Sequence, residues 1–83
     1  MSDLTSAPNI GPVLAGELQA LGLETVDQLS ELGSLEVGRR LEARGFHDCA
    51  HAVLAVEGAI RGVRWTTIPA DERHALADNW KSR

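Results

Sequence analysis

The chain has 83 residues, about half the usual length per domain, which leaves room for a single compact domain. Apolar residues make up 43% of it and charged residues 24%, as in soluble globular proteins, and no apolar run approaches the roughly 18 to 20 residues that span a bilayer. The formal net charge is −4, from 8 basic and 12 acidic residues. Because nucleic-acid binding draws on clustered Lys and Arg, this balance disfavours a nucleic-acid partner.

Size and cysteine content limit the protein further. A domain this small buries only about 60 to 65% of the surface that its unfolded chain exposes, so self-association stays open. The single Cys49 cannot form an internal disulfide, and the polar residues after Met1 lack the charged and apolar regions of a signal sequence. These features favour a cytoplasmic location.

Apolar residues recur at three- and four-residue spacings almost throughout, which predicts an all-α fold. Leu14, Leu18 and Leu21 predict a first helix over about residues 12–21. Pro12 suits its first position and Gly22 ends it.

The second and third helices carry capping signals. Thr25 and Gln28 have the capping-box pattern, in which each side chain satisfies a backbone N–H, and they predict a helix over about 25–32 that ends before a glycine. Ser34 is expected to cap a third helix, which Gly45 terminates.

The fourth helix is expected to be the long, central one, with Asp48 as its cap. Its apolar stripe comprises Cys49, Ala52, Val53, Val56, Ile60 and Val63. Pro69 opens a fifth helix, in which Leu76 and Trp80 lie four residues apart. The prediction is a compact five-helix domain covering residues 1–83, with an ordered core over about 4–80.

The turn before the first helix, Pro8-Asn9-Ile10-Gly11, resembles the apolar-Pro-Gly-apolar-Gly turn of helix-hairpin-helix (SAM-like) proteins. In that family, backbone N–H groups of the turn hold a nucleic-acid phosphate. Here Asn9 stands at the first glycine position and Pro12 has no N–H to donate. Asn tolerates a left-handed backbone, so the turn is expected to keep its shape.

Charge decides between the two roles of this turn. Residues 1–38 contain six acidic and no basic residues, a charge of −6, whereas residues 39–83 contain six acidic and eight basic residues, a charge of +2. We therefore favour a structural role over DNA contact. If nucleic acid does bind, Asn9, Ile10 and Gly11 are the expected contacts.

A second motif occupies residues 57–65, Glu-Gly-Ala-Ile-Arg-Gly-Val-Arg-Trp, and is followed by Ile68-Pro69. Together with the Pro8–Pro12 turn and the Leu-Gly ending of the first helix, it resembles the C-terminal domain of the TfoX/Sxy family of competence regulators, from about Leu4 to Trp80. The resemblance implies a small helical module with helix-hairpin-helix-like topology. It also implies a regulatory role linked to competence and transcription, here without the N-terminal α/β domain that the module often follows.

Several positions of these motifs have expected structural roles. Gly58 inside a helix indicates that another helix crosses closely there. Glu57 and Arg61, at i and i+4, are expected to form an ion pair at the edge of the core. Trp65 is expected to plug the core below the fifth helix, in preference to forming a binding patch with Arg61 and Arg64. The positions assigned to structure are Pro8, Gly11, Gly22, Glu57, Gly58, Arg61, Gly62 and Trp65.

The basic residues concentrate near the ends of the third and fourth helices: Arg39, Arg40, Arg44, Arg61 and Arg64. If those helix ends meet, the arginines form one positive patch. A solvated face is favoured over a patch that docks an acidic partner or contacts nucleic acid.

Metal-type residues cluster only at His47, Asp48, Cys49 and His51, and Cys49 is expected to project toward the core. A zinc site needs about four convergent ligands, and a buried thiol is inert, so neither a metal site nor a catalytic cysteine is expected. No phosphate-binding loop or small-molecule site is evident, and no cofactor is expected.

The sequence thus favours a non-enzymatic interaction module that docks a protein partner or a second copy of itself. The alternative is weak nucleic-acid binding through the hairpin turn and the arginines. A third option is a small enzyme or metal protein that uses the segment from His47 to His51.

Overall fold

The computed structural model describes residues 4–46 and 50–82, except for the side chain of Thr5, and over these ranges the chain forms five α-helices. They are α1 (Pro12–Ala20), α2 (Val26–Leu32), α3 (Ser34–Ala43), α4 (Ala50–Arg61) and α5 (Ala70–Lys81), with single 3₁₀ turns at Leu4–Ser6 and Trp65–Thr67. The all-α, five-helix prediction is confirmed. None of the helices in these two ranges is both long enough and apolar enough to cross a bilayer.

Local sequence signals set the helix ends. The Gln28 N–H donates to Thr25 Oγ1 over 3.3 Å and the Thr25 N–H donates to Gln28 Oε1 over 3.1 Å, which confirms the capping box of α2. Four glycines with φ between 74° and 85° follow helix ends, where a left-handed residue is favoured: Gly22, Gly33, Gly45 and Gly62.

Two predicted boundaries are wrong. Ser34 does not cap α3, because Gly33 occupies the cap position and no side chain caps the helix. Helix α4 ends at Arg61, so Val63 lies outside the apolar stripe and is 38% exposed. The predicted cap Asp48 and the core-facing Cys49 lie outside the described residues.

Helix α4 is central, as expected, since it contacts α2, α3, α5 and the turn at Trp65–Thr67. It buries mostly small side chains, which lets its neighbours approach closely. The largest fully buried side chains of the domain are Leu4, Leu18, Leu29, Leu41, Ile68, Val37, Val53 and Val56. Burying each of them contributes about 1.5 to 3 kcal/mol.

Helices α3 and α4 run antiparallel. Ser34 at the start of α3 donates from Oγ to Glu57 Oε1 near the end of α4, over 2.8 Å. One turn further along α3, a Cβ placed on Gly38 would lie 2.8 Å from Val53 Cγ2 and equally close to Cζ3 of Trp80, which is buried against it from α5. The C-terminal end of α3 therefore lies toward the start of α4.

Candidate functional site

Asn9 joins the N-terminal turn to the end of α4. Its φ of 73° confirms the expected left-handed backbone. Its Nδ2 donates to the carbonyl of Val63 over 3.0 Å and to that of Ala55 over 3.4 Å, and its Oδ1 accepts from the Trp65 N–H over 3.1 Å. Both polar atoms of the side chain are thus engaged inside the chain.

Gly58 lies next to the hydrogen bonds between Asn9 and residues 63–65. A Cβ there would collide with Asn9 Nδ2 and would lie 2.8 Å from the carbonyl oxygen of Val63 and 3.1 Å from the backbone nitrogen of Trp65. The close approach expected at Gly58 is confirmed, but the neighbour is the Asn9 amide and the backbone after α4 instead of another helix. The two sequence motifs therefore meet in one clamp, formed by Asn9, Gly58 and residues 63–65.

The clamp makes the turn a poor candidate for nucleic-acid contact. The amide of Asn9 is committed to Val63 and Trp65, and Ile10 is only 6% exposed and belongs to the core. Gly11 alone of the three candidate contacts is exposed, as the N-cap of α1. The next residue, Pro12, has no N–H, so the turn offers a phosphate few donors.

Glu57 and Arg61 form the predicted ion pair, with Nε 2.7 Å from Oε2. Each member of the pair has one further partner. Ser34 on α3 donates a hydrogen bond to Glu57, and Arg61 NH2 lies 2.9 Å from Glu72 Oε1 on α5. The hydrogen bonds that Arg61 donates, first to Glu57 and second to Glu72, raise the pKa of Arg61. Arg61 thus ties α3, α4 and α5 together, and its charge is compensated within the fold.

The arginines of α3 are also engaged locally. Arg40 Nε lies 3.2 Å from Glu36 Oε2, and Arg39 NH1 lies 4.0 Å from Oε1 of the same carboxylate. Arg44 NH1 donates to the Ala20 carbonyl at the end of α1 over 3.3 Å. These contacts are exposed, so each stabilises the fold only modestly.

The condition for a single arginine patch, that the ends of α3 and α4 carrying the arginines meet, is not fulfilled. Because α3 and α4 are antiparallel, Arg44 and Arg61 lie at opposite ends of the helix pair, about 20 Å apart along the axes at 1.5 Å per residue. Arg64 follows α4 at the Arg61 end. The five arginines are therefore divided between two separate regions.

Trp65 does not plug the core, since it is only partly buried and lies outside the core cluster. Its ring meets the ring of His51 edge-on, with centroids 4.8 Å apart and an angle of 74°. The guanidinium carbon of Arg73, on α5, lies 5.9 Å from the Trp65 centroid. We call these three side chains the Trp65 cluster. The aromatic residue in the core is Trp80, which is 4% exposed.

A groove of about 380 Å³ runs between the N-terminus of α1 and the first half of α4. The residues that line this α1–α4 groove are Asn9, Gly11, Pro12, Val13, Leu14, His51, Ala52 and Ala55. Val13 is 67% exposed, more than any other large hydrophobic among the described residues. The sequence pattern did not identify Val13, because this residue lies outside the apolar stripe of the first helix, which begins at Leu14. An apolar residue beside that stripe, at the start of a helix, was the available signal.

The cluster of metal-type residues cannot be placed in the fold, because His47, Asp48 and Cys49 lie outside the described residues. Within residues 4–46 and 50–82, no three His, Cys, Asp or Glu side chains come together as metal ligands would. His51 is exposed and belongs to the Trp65 cluster.

Comparison with known proteins places the chain in a family. No curated protein matches the sequence. A solved structure of an uncharacterised protein from Listeria monocytogenes, in a triclinic crystal form, is 31% identical with a TM-score of 0.90, over 98% of this chain and 92% of that chain. A second, a protein of unknown function from the same organism in a tetragonal form, is 32% identical with a TM-score of 0.86, over 96% of this chain and 98% of that chain. The sequence model of the TfoX C-terminal domain matches residues 1–80, and the chain therefore belongs to the TfoX C-terminal domain family.

Proposed function

We propose that the protein is a non-enzymatic interaction module that holds an apolar segment of a partner protein in the α1–α4 groove. The observation that carries this proposal is the exposure of Val13, 67%, on a mostly apolar concave surface. The other residues that line this surface are Asn9, Gly11, Pro12, Leu14, His51, Ala52 and Ala55. Concave, mostly apolar surfaces of this volume are where proteins bind ligands. The family supports a regulatory role for the module, linked to competence and transcription.

A foreign partner fits this surface better than a second copy of the chain. A stable interface buries about 800 Å² on each partner, and obligate dimer interfaces resemble a core cut in half. The whole chain exposes 4681 Å², and the exposed large hydrophobics among the described residues are Val13 and Val63. A surface with so little exposed apolar area suits a short docking segment and a transient complex.

Nucleic acid is the weaker alternative. None of the described residues that line the groove is Lys or Arg, and the chain as a whole carries a net charge of −4, which opposes the approach of a polyphosphate. The Asn9 amide is bonded inside the chain, and Arg39, Arg40 and Arg61 face carboxylates of their own. The Asn9 amide and these three arginines are thus engaged within the fold.

The test compares wild-type protein with Val13→Ser and with the matched control Val63→Ser, which removes an exposed valine elsewhere. Each protein captures partners from an extract of the native cytoplasm, and the captured protein is purified and titrated by calorimetry. Full burial of a valine contributes about 1.5 to 3 kcal/mol, so burying the exposed part of Val13 is expected to contribute about 1 to 2 kcal/mol, roughly tenfold in Kd.

The expected result is a partner whose affinity falls in Val13→Ser and is unchanged in Val63→Ser. Equal affinity of all three proteins would contradict the groove as the binding site. Saturable, salt-sensitive amide shifts at residues 9–13 on titration with duplex DNA would favour the nucleic-acid alternative instead.

A further inference from the structure

Arg73 differs from Arg61 in having no ion-pair partner among the described residues. On α5 its neighbours at three and four positions in either direction are Pro69, Ala70, Leu76 and Ala77, so no carboxylate shares its helix face. Within residues 4–46 and 50–82 it forms no ion pair, whereas Arg61 faces two carboxylates. Its guanidinium therefore makes no direct contact with a carboxylate of the described residues.

One nitrogen atom of Arg73 lacks a hydrogen-bond partner. The Nε atom is buried and has no hydrogen-bond acceptor among the described residues. The guanidinium lies over the face of Trp65, whose ring provides a cation–π contact but accepts no conventional hydrogen bond. A guanidinium that packs on an aromatic ring and has no carboxylate partner can still bind an incoming carboxylate through charge-assisted hydrogen bonds from its terminal nitrogens.

The Trp65 cluster adjoins the α1–α4 groove. His51 belongs to both, since it lines the groove and its ring contacts the edge of Trp65. The Trp65 backbone is bonded to Asn9, which also borders the groove. The α1–α4 groove and the guanidinium of Arg73 are thus linked through the side chains of His51 and Trp65.

We propose that the α1–α4 groove, together with Arg73, recognises an acidic–apolar segment of a partner protein. An apolar side chain of the segment enters the α1–α4 groove, and a neighbouring Asp or Glu carboxylate binds the guanidinium of Arg73 beside Trp65. This inference rests on the proposed function and adds the chemistry of the partner. A single carboxylate matches the single guanidinium, whereas a polyphosphate carries many charges and the chain as a whole has a net charge of −4, so a peptide is favoured over a nucleic acid.

The test uses phage-displayed random 12-residue peptides selected on the wild-type protein. The enriched peptides are expected to carry an apolar residue within a few positions of Asp or Glu. One enriched peptide, labelled with fluorescein, is then titrated by fluorescence polarisation against wild type, Arg73→Gln and Val13→Ser. The matched control is Lys81→Gln, which removes the same charge from the exposed end of the same helix.

Arg73→Gln is expected to weaken binding by about tenfold, as loss of a charge-assisted hydrogen bond does, while Lys81→Gln stays within about twofold. A second peptide replaces the Asp or Glu of the parent peptide by Asn or Gln. On the wild-type protein, this second peptide should bind about tenfold more weakly than the parent peptide. On Arg73→Gln, the two peptides should bind equally. This non-additivity identifies the carboxylate as the group that contacts Arg73. Circular dichroism spectra of the variants establish that each one is folded.

The outcomes separate the two proposals. Binding that depends on Val13 but not on Arg73 overturns the inference and leaves the proposed function standing. Binding that depends on neither, or a selection without enriched peptides, overturns both. Displacement of the peptide by a 12-residue oligothymidylate, in an Arg73-dependent manner, would show that the surface takes nucleic acid and would overturn the choice of a peptide.

Discussion

Replacing Gly58 by Ala should destabilise the protein, although Ala is the better helix former. Gly58 lies inside α4, where the substitution alone would gain about 1 kcal/mol of helix propensity. The added Cβ would collide with Asn9 Nδ2 and lie 2.8 Å from the Val63 carbonyl oxygen. Because that oxygen is backbone held by the turn, it cannot move away as a flexible side chain could.

The size of the effect follows from the contacts that are lost. Displacing the Asn9 amide removes its hydrogen bonds to Val63 and Trp65, about 1 kcal/mol each, and overpacking typically costs another 1 to 3 kcal/mol. After the gain in propensity, Gly58→Ala should lower the free energy of unfolding by about 2 to 4 kcal/mol. A domain of this size is stable by roughly 4 to 12 kcal/mol, so the loss is large.

Gly16→Ala is the matched control, because Gly16 is also inside a helix and a Cβ there would have no atom within 4 Å. It should raise the free energy of unfolding by about 0.5 to 1 kcal/mol. Urea unfolding followed by circular dichroism measures both variants. The reasoning fails if Gly58→Ala is as stable as wild type. A second check is Asn9→Gly, which keeps the left-handed backbone and removes the amide, and which should make Gly58→Ala less costly in the double variant.

Two further predictions concern the contacts of α3. Gly38→Ala should lower the free energy of unfolding by about 1 to 3 kcal/mol, since the new Cβ would lie 2.8 Å from both Val53 Cγ2 and Trp80 Cζ3. Urea unfolding measures this loss, and an unchanged free energy of unfolding would contradict close packing at Gly38. Glu57→Gln should cost about 1 kcal/mol because Glu57 joins α3 to α5 through Arg61. The control is Glu36→Gln, which removes the exposed carboxylate that pairs with Arg39 and Arg40. It should lower the free energy of unfolding by less than about 0.5 kcal/mol in the same assay. Equal losses in the two variants would contradict a stabilising role for the contacts of Glu57.

Most of the fold was predictable because it depends on local chemistry. The apolar periodicity predicted the five helices, and the capping box of Thr25 and Gln28 lies where it was expected. The error at Ser34 has a tertiary cause. Its hydroxyl donates to Glu57, a partner 23 positions away that no local pattern indicates, and the preceding Gly33 takes the cap position.

The candidate site was less predictable because it depends on how the helices are placed. The arginine patch required the ends of α3 and α4 to meet, and sequence spacing does not reveal that the two helices are antiparallel. The same limit applies to Trp65. An aromatic residue in a small domain is usually buried, but here Trp80 takes the core position against Gly38 and leaves Trp65 between His51 and Arg73. An interior glycine such as Gly38 was the sequence signal for this packing.

The clamp connects the fold to the proposed function. Asn9 bonds to the Ala55 carbonyl on one wall of the α1–α4 groove and lies two residues before Gly11, the N-cap of α1. The same side chain therefore fixes the distance between the two walls of the groove. The turn resembles a phosphate-binding motif, but its Asn9, which stands in place of a glycine, bonds to α4 and to the residues after it and so positions the apolar surface of the groove. Loss of the clamp should consequently weaken partner binding, although its amide is engaged with the chain and does not reach the partner.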